Sequence, residues 1–224
     1  MAATSRREQA KSERRLRIIA AAHDLLREVD MEGVTVKAIA QRSGLSAATV
    51  YNLFGAKAAV LAQVFDLDLQ VFEQRVAEAR SADSLDRFFD AIAIAAEFYG
   101  ADPNFYRQTM VARGSPPADF RFVTTAVREP RMRFWRRLVE QAIGEGVLRP
   151  ETDAAALGVL LVQISAGALL DWAFDAVTVD QLELELSFGF AAALSSFASK
   201  PARARLRRRM DVLGQAALER SRAA

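Results

Sequence analysis

The chain of 224 residues contains no cysteine, which removes disulfides, thiol nucleophiles and thiolate-rich metal sites together and makes a reducing cytoplasm the expected compartment. It has one histidine, His23, so a metal centre would need carboxylates for nearly every ligand, and no metal site is expected. His23 falls among apolar positions of helical period and reads as structural. No apolar segment opens the chain: residues 1–17 are polar and basic, so no secretory signal is expected. The longest apolar run, 154–170, lies between Asp153 and Asp171 and is interrupted by Gln163 and Ser165, which is too polar for a membrane span. It reads as a buried helix. Arrangements for catalysis are missing too. Gly144-Glu145-Gly146 lacks the preceding strand and the further glycine of a nucleotide loop, and Glu183 and Glu185, two apart, face different sides of a helix. An enzyme is therefore not expected, and nothing asks for a cofactor.

What is present is an uneven distribution of charge. Residues 1–60 carry ten Lys/Arg against six Asp/Glu, residues 61–200 thirteen against twenty, and residues 201–224 seven against two. A basic beginning suits a module that meets phosphate, joined to one that does not. Arg6, Arg7, Lys11, Arg14 and Arg15 form a basic arm, expected to lack structure at its start and able to track a nucleic-acid backbone. A first helix is expected from Arg14 to about Val29.

The stretch 35–57, TVKAIAQRSGLSAATVYNLFGAK, places apolar or small residues at Val36, Ile39, Ala40, Leu45, Val50, Leu53 and Phe54, the pattern of two short packed helices. Thr35 can cap the first. Gly44 can take the left-handed conformation that stops it, and Ser46 can cap a second helix from Ala47 to Leu53. Ala40 sits at the crossing, where a larger side chain would push the helices apart, and Val50 meets it. This is a helix-turn-helix. Such a unit turns the N-terminal residues of its second helix to base edges in a major groove, here Ser46, Ala47, Ala48, Thr49 and Asn52, while Tyr51 and Lys57 face phosphates. With Thr35 and Lys37 these are the residues expected at DNA.

The same stretch resembles the DNA-binding motif of the tetracycline-repressor (TetR) family of bacterial transcription regulators. The correspondence starts at Ile18-Ile19-Ala20-Ala21-Ala22, continues through Gly33-Val34-Thr35-Val36 and Ile39-Ala40, and ends with Gly44-Leu45-Ser46, Thr49-Val50-Tyr51, Phe54 and Lys57. It departs from the family at Ala56 and Ala58, where Ser and Glu are usual, and at Ala47-Ala48, so fewer long side chains reach DNA. The resemblance implies an all-α homodimer that represses transcription by occluding an operator in double-stranded DNA, and a C-terminal helical domain that binds a small effector.

Beyond Gly55 a long helix is expected from Lys57 to about Arg80, then helices 85–99, 103–112, a segment leading to a new helix start at Pro130, 131–143, 153–176 and 179–199. Thr178 and Gln181 form a capping box for the last of these. Residues 201–224 read as a basic C-terminal helix. The expected domains are therefore 1–56 for DNA, 57–200 for effector binding and dimerisation, and the tail 201–224. Tyr99, Phe105, Tyr106, Gln108, Gln163 and Trp172 are the aromatic or polar-tipped candidates for a mostly apolar effector cavity. The small residues Gly158, Gly167 and Gly189, with Phe190, lie on the helices that the resemblance implies pair with their copies across a dimer interface. The competing reading is a helical interaction protein, or an enzyme, that does not bind DNA.

Overall fold

The computed structural model describes residues 6–111 and 118–223, with side chains described over 6–108 and 128–216. The described residues are all-α: α1 (Arg6–Glu28), α2 (Val36–Ser43), α3 (Ala47–Phe54), α4 (Lys57–Glu78), α5 (Ser84–Ala101), α6 (Pro103–Val111), α7 (Ala118–Gly144), α8 (Ala154–Ala173), α9 (Val179–Ser195) and α10 (Lys200–Ala223). The chain divides into two compact units, Met1–Leu69 with Asp102–Arg128, and Gln70–Ala101 with Glu129–Ala224.

In the first unit α1 turns Ile18, Ile19, Ala22, Leu25 and Leu26 inward at three- and four-residue spacing, against Val34, Ile39, Ala40 and Val50. The start of α4 adds Val60, Leu61, Val64 and Phe65, and α6 adds Phe105 and Tyr106. Two eight-residue helices could not bury their apolar faces alone, so α1 and α4 supply the walls that make the motif stable. His23 lies with its ring 4.8 Å from that of Phe105. The first helix begins at Arg6 rather than Arg14. Residues 6–15 contain neither glycine nor proline and are mostly strong helix formers, so the basic arm is the first turns of α1 over the described residues.

The second unit has an aromatic core. Phe72 lies edge-on to Phe98 at 6.1 Å and to Phe134 at 5.2 Å, Trp135 is edge-on to both Phe134 and Phe190 at 4.9 Å, and Phe88 stacks on Trp135 at 6.2 Å. Such pairs add about 0.5–1.5 kcal/mol each beyond the area they bury. Pro130, expected to open a helix, lies inside α7, which runs unbroken through it. The proline has no N–H to give to residue 126, yet its fixed φ is helical, and the turns on either side carry the helix across the lost bond. The alternation Leu182, Leu184, Leu186 is helical, fixed by the capping box: the Thr178 hydroxyl accepts from the Gln181 N–H at 3.3 Å and the Gln181 side chain accepts from the Thr178 N–H at 2.7 Å.

The C-terminal segment is a docked helix. Ala202 and Leu206 of α10 are buried, and the Arg203 guanidinium donates to the carbonyls of Ser195 and Ala198 at 3.1 and 3.2 Å. Arg205 pairs with Asp83 and, at 2.9 Å, with Asp86, and Arg209 lies 3.8 Å from the ring centroid of Phe89. Basic α10 thus meets the acidic start of α5. The hydrogen bond from Arg205 holds the Asp83 carboxyl below its ordinary pKa, and the Ser84 N–H, at 2.8 Å, does the same for Glu145. A carboxyl with a depressed folded pKa contributes stability that is present above its unfolded value, about 3.9 for Asp and 4.3 for Glu, and is lost as pH falls through the folded one. The urea midpoint of the second unit should therefore fall below about pH 4, and Asp83→Asn should flatten that acid limb. An Asp83→Asn protein with the same midpoint and the same acid limb as wild type would remove the Asp83–Arg205 pair from the account.

Candidate nucleic-acid interface

Each end of α2 and the start of α3 is set by a side chain or backbone placed for that purpose. Thr35 is extended at φ −106° and its hydroxyl accepts the Ala38 N–H at 3.1 Å, which opens α2. Gly44 stops α2 in the left-handed region at φ +65°, ψ 34°, with its N–H on the Gln41 carbonyl at 3.2 Å and that of Leu45 on Ala40 at 2.9 Å. Ser46 returns to extended backbone and its hydroxyl accepts the Thr49 N–H at 3.1 Å, which opens α3. Ala40 and Val50 are buried at the crossing, as the spacing required. Only three residues, 44 to 46, separate Ser43, the last buried position of α2, from the first turn of α3, so the angle between the helices follows from these caps.

The structure brings Ser46, Ala47, Ala48, Tyr51 and Asn52 onto one open face at the N-terminal side of α3, with Tyr51 54% exposed. Thr35 and Lys37 are exposed at the start of α2. Two predicted residues have other engagements. Thr49 is half-buried and its hydroxyl shares a hydrogen bond of 2.9 Å with that of Ser46, so base contact by Thr49 would compete with the cap. Lys57 is half-buried at the first position of α4, and its ammonium donates to the Met31 carbonyl at 3.3 Å. The Met31 N–H donates in turn to the Gln108 side chain at 3.3 Å, so the backbone on both sides of this one residue, in the loop between α1 and α2, is gripped from α4 and α6.

Arginines that sequence spacing did not single out for this role brace the motif. Arg42 makes a two-pronged contact with Glu28, one prong at 2.9 Å, and that hydrogen bond holds the Glu28 carboxyl below its ordinary pKa and raises that of Arg42. The Arg17 guanidinium donates to the Ser43 carbonyl, and Arg15 donates to the Leu53 carbonyl at 2.7 Å while its guanidinium carbon lies 4.2 Å from the centroid of the Phe54 ring.

The six effector candidates are shared between the two units. Phe105, Tyr106 and Gln108 belong to the first unit, where Phe105 packs on Phe65 at 5.7 Å, the Tyr106 hydroxyl donates to Asp68 at 2.6 Å and Gln108 holds Met31. Tyr99 and Trp172 meet in the second unit at 5.6 Å, with Trp172 buried. Gln163 lies on the outer face of α8, exposed. A polar side chain at that position fits an open surface and not the lining of an enclosed cavity.

The interface candidates separate in the same way. Phe190 is fully buried against Trp135 and is a core residue of its own unit. Gly158 is buried where α8 crosses α7: an added Cβ would lie 3.3 Å from the Arg136 backbone. An added Cβ at Gly189 would lie 2.8 Å from Ile164, so that glycine serves the packing of α9 on α8. Gly167 alone of the four is exposed, with nothing among the described residues within 4 Å of an added Cβ. It belongs to a row on α8 comprising Ala156, Leu160, Gln163, Gly167, Leu170 and Phe174, all exposed, and Phe188 of α9 is 44% exposed. The expectation of a wholly buried helix is thus corrected: α8 buries one face and leaves the other, also apolar, open. Among the described residues it is the one helix long and apolar enough to cross a membrane by length and composition. Glu185 of α9 has a carboxyl raised by desolvation and then by the charge of Asp171.

Comparison with known proteins gives the motif a family. Residues 18–64 match the sequence family described as bacterial regulatory proteins, tetR family. No curated protein matches the chain. Among solved structures, the chain is similar to Thermus thermophilus FadR, a TetR-family transcriptional repressor, in complex with lauroyl-CoA, with a TM-score of 0.66 at 20% identity over 83% of this chain and 96% of that one. Bacillus subtilis FadR, a transcriptional regulator in complex with stearoyl-CoA, gives 0.64 at 17% identity over 80% and 97%. SmeT, the repressor of the Stenotrophomonas maltophilia multidrug efflux pump SmeDEF, gives 0.60 at 20% identity over 84% and 92%. At these identities the likeness is one of fold.

Proposed function

We infer, from an N-terminal domain that belongs to the tetR family of bacterial regulatory proteins, that this chain is a DNA-binding transcription regulator which represses by occupying an operator and leaves it when a small effector binds. The observation that carries the reading is the open face of α3, where Ser46, Ala47, Ala48, Tyr51 and Asn52 are exposed beside a capped, glycine-stopped turn. A helix presented in this way offers its first turn to base edges while its N-terminal N–H groups favour phosphate. With only short side chains at 46–48, Asn52 is the longest amide donor and acceptor on the face, suited to adenine.

The protein acts as a homodimer through the open row of α8 and Phe188 of α9, and twofold symmetry then makes its operator a pseudo-palindrome with half-sites about 34 Å apart or a multiple. The effector is mostly apolar, as the aromatic surroundings of Tyr99 and Trp172 suggest. Long-chain acyl-CoA is the class to test first, because two of the similar structures were solved with such compounds.

The test is selection of duplexes from a randomised pool by the purified protein, followed by titration of the selected duplex at several salt concentrations. Sequence-selective retention that falls steeply with salt is expected. Asn52→Ala should relax preference at one base pair per half-site, by about 1–3 kcal/mol, with the salt slope unchanged. A pool that emerges without any enriched sequence would rule out the reading. Addition of lauroyl- or stearoyl-CoA should lower the affinity for the selected duplex about 5–150-fold.

A further inference from the structure

Two arginines of α1 spend their guanidinium groups on carbonyls of the helix-turn-helix. Arg15 and Arg17 sit two positions apart on α1, roughly 200° around the helix, so their long side chains diverge and reach different helices. Arg17 reaches the carbonyl of Ser43, the last residue of α2, and Arg15 reaches that of Leu53 in the last turn of α3. Those carbonyls are among the ones an eight-residue helix leaves without intrahelical partners, at the negative end of its dipole. Helix α3 has no basic residue in its own last turn, and Arg15 brings one from another element. The Arg15 guanidinium also covers the Phe54 ring at 4.2 Å, and Arg17 lies so close to Gly44 that an added Cβ there would be 2.9 Å from its Nη2.

We propose that Arg15 and Arg17 are positioning residues for base readout, which fix the C-terminal ends of α3 and α2 to α1 and do not meet DNA phosphate. The proposal rests on the reading that α3 enters a major groove. It deepens that reading, because Ala47 and Ala48 cannot compensate for a displaced helix as long side chains could. Where the reading side chains are short, the placement of the helix axis carries the specificity. A phosphate contact and an internal clamp differ in three measurable ways. The first lowers affinity on all sequences, lowers the salt slope by about one unit, and is kept by lysine. The second lowers selectivity, leaves the slope alone, and is not kept by lysine, which has neither the planar fork nor its stacking on Phe54.

The experiment uses the full chain with Arg15→Lys and Arg15→Gln, a duplex selected by the wild type, a scrambled duplex of equal composition, and amide hydrogen exchange of the free protein. Both variants should reduce the ratio of selected to scrambled affinity roughly tenfold, the scale of one lost charge-assisted hydrogen bond. The salt slope on either duplex should stay within about half a unit of wild type, because no phosphate contact is lost. Exchange should speed up over 50–55 while the helices of the second unit keep wild-type protection. Should Arg15→Gln unfold the first unit, Arg15→Lys, which retains the charge and a donor, is read alone. An Arg15→Lys protein indistinguishable from wild type in selectivity and exchange would overturn the proposal, as would an Arg15→Gln protein that loses affinity equally on both duplexes with a shallower slope. If the wild type selects no duplex, the DNA-binding reading fails, and the exchange measurement still decides whether Arg15 holds α3.

Discussion

Gly167→Arg is expected to turn the protein into a monomer at micromolar concentration and to weaken binding to a two-half-site operator by about 10²-fold or more, the advantage that linking two binding events confers. Gly167 has open space where a side chain would stand. Among the described residues an added Cβ there meets nothing within 4 Å, so an arginine is expected to cost the protomer neither a clash nor a cavity. Any effect must come from a partner. On either side along α8 stand Leu160, Gln163, Leu170 and Phe174, all exposed, and Phe174 at 63% exposure is a large apolar side chain left in water. An exposed row of this kind, apolar but for Gln163, marks an interaction surface, and a charged, long side chain at its small-residue position would both desolvate badly and hold the surfaces apart. Sedimentation should show the change in mass, and the operator titration the loss in affinity. A Gly167→Arg protein that sediments as a dimer and binds the selected duplex normally would end the assignment of this face.

How far the sequence could carry such an argument differs between the two units. The helix-turn-helix was legible almost residue by residue because its determinants are local: Thr35, Gly44 and Ser46 act on backbone groups within four residues, and their caps appear as the spacing required. The capping box at Thr178 and the course of α9 were legible for the same reason. What was not legible depends on partners far along the chain. Gln108 looked like a cavity residue until the Met31 peptide, 77 positions away, took its side chain, and Arg15 looked like an arm residue until Leu53 did the same across 38. The helical pattern of 154–170 established an apolar helix but not which of its faces was covered, since a helix apolar all round gives no amphipathic signal to read. Taken singly, the missing N–H of Pro130 favours a helix start, whereas the helix on both sides of it is long enough to carry the defect.

Phe190→Ala is expected to cost the second unit about 3–5 kcal/mol of folding stability, a large share of the roughly 5–15 kcal/mol that holds a domain together. Phe190 and Gly167 share helices of the same apolar character, but their surroundings are opposite. The Phe190 ring is fully buried, edge-on to Trp135 at 4.9 Å, and Trp135 is itself packed on Phe88 and Phe134. Truncation to alanine therefore opens a cavity at the centre of the aromatic core and removes a ring contact from Trp135, neither of which surrounding rings can relax to fill. In the proposed dimer, association would stabilise the folded protomer further by mass action. The Gly167→Arg background removes that contribution. Among the described residues nothing beyond the chain neighbours of Gly167 lies within 4 Å of a Cβ added there, so the two substitutions should add, and Phe190→Ala should lower the urea unfolding free energy equally in the dimeric and monomeric backgrounds. A loss under about 1 kcal/mol in the monomer, with a loosened dimer, would return Phe190 to the interface. The full loss in both backgrounds would leave association to the open row of α8 and stability to the ring cluster beneath it.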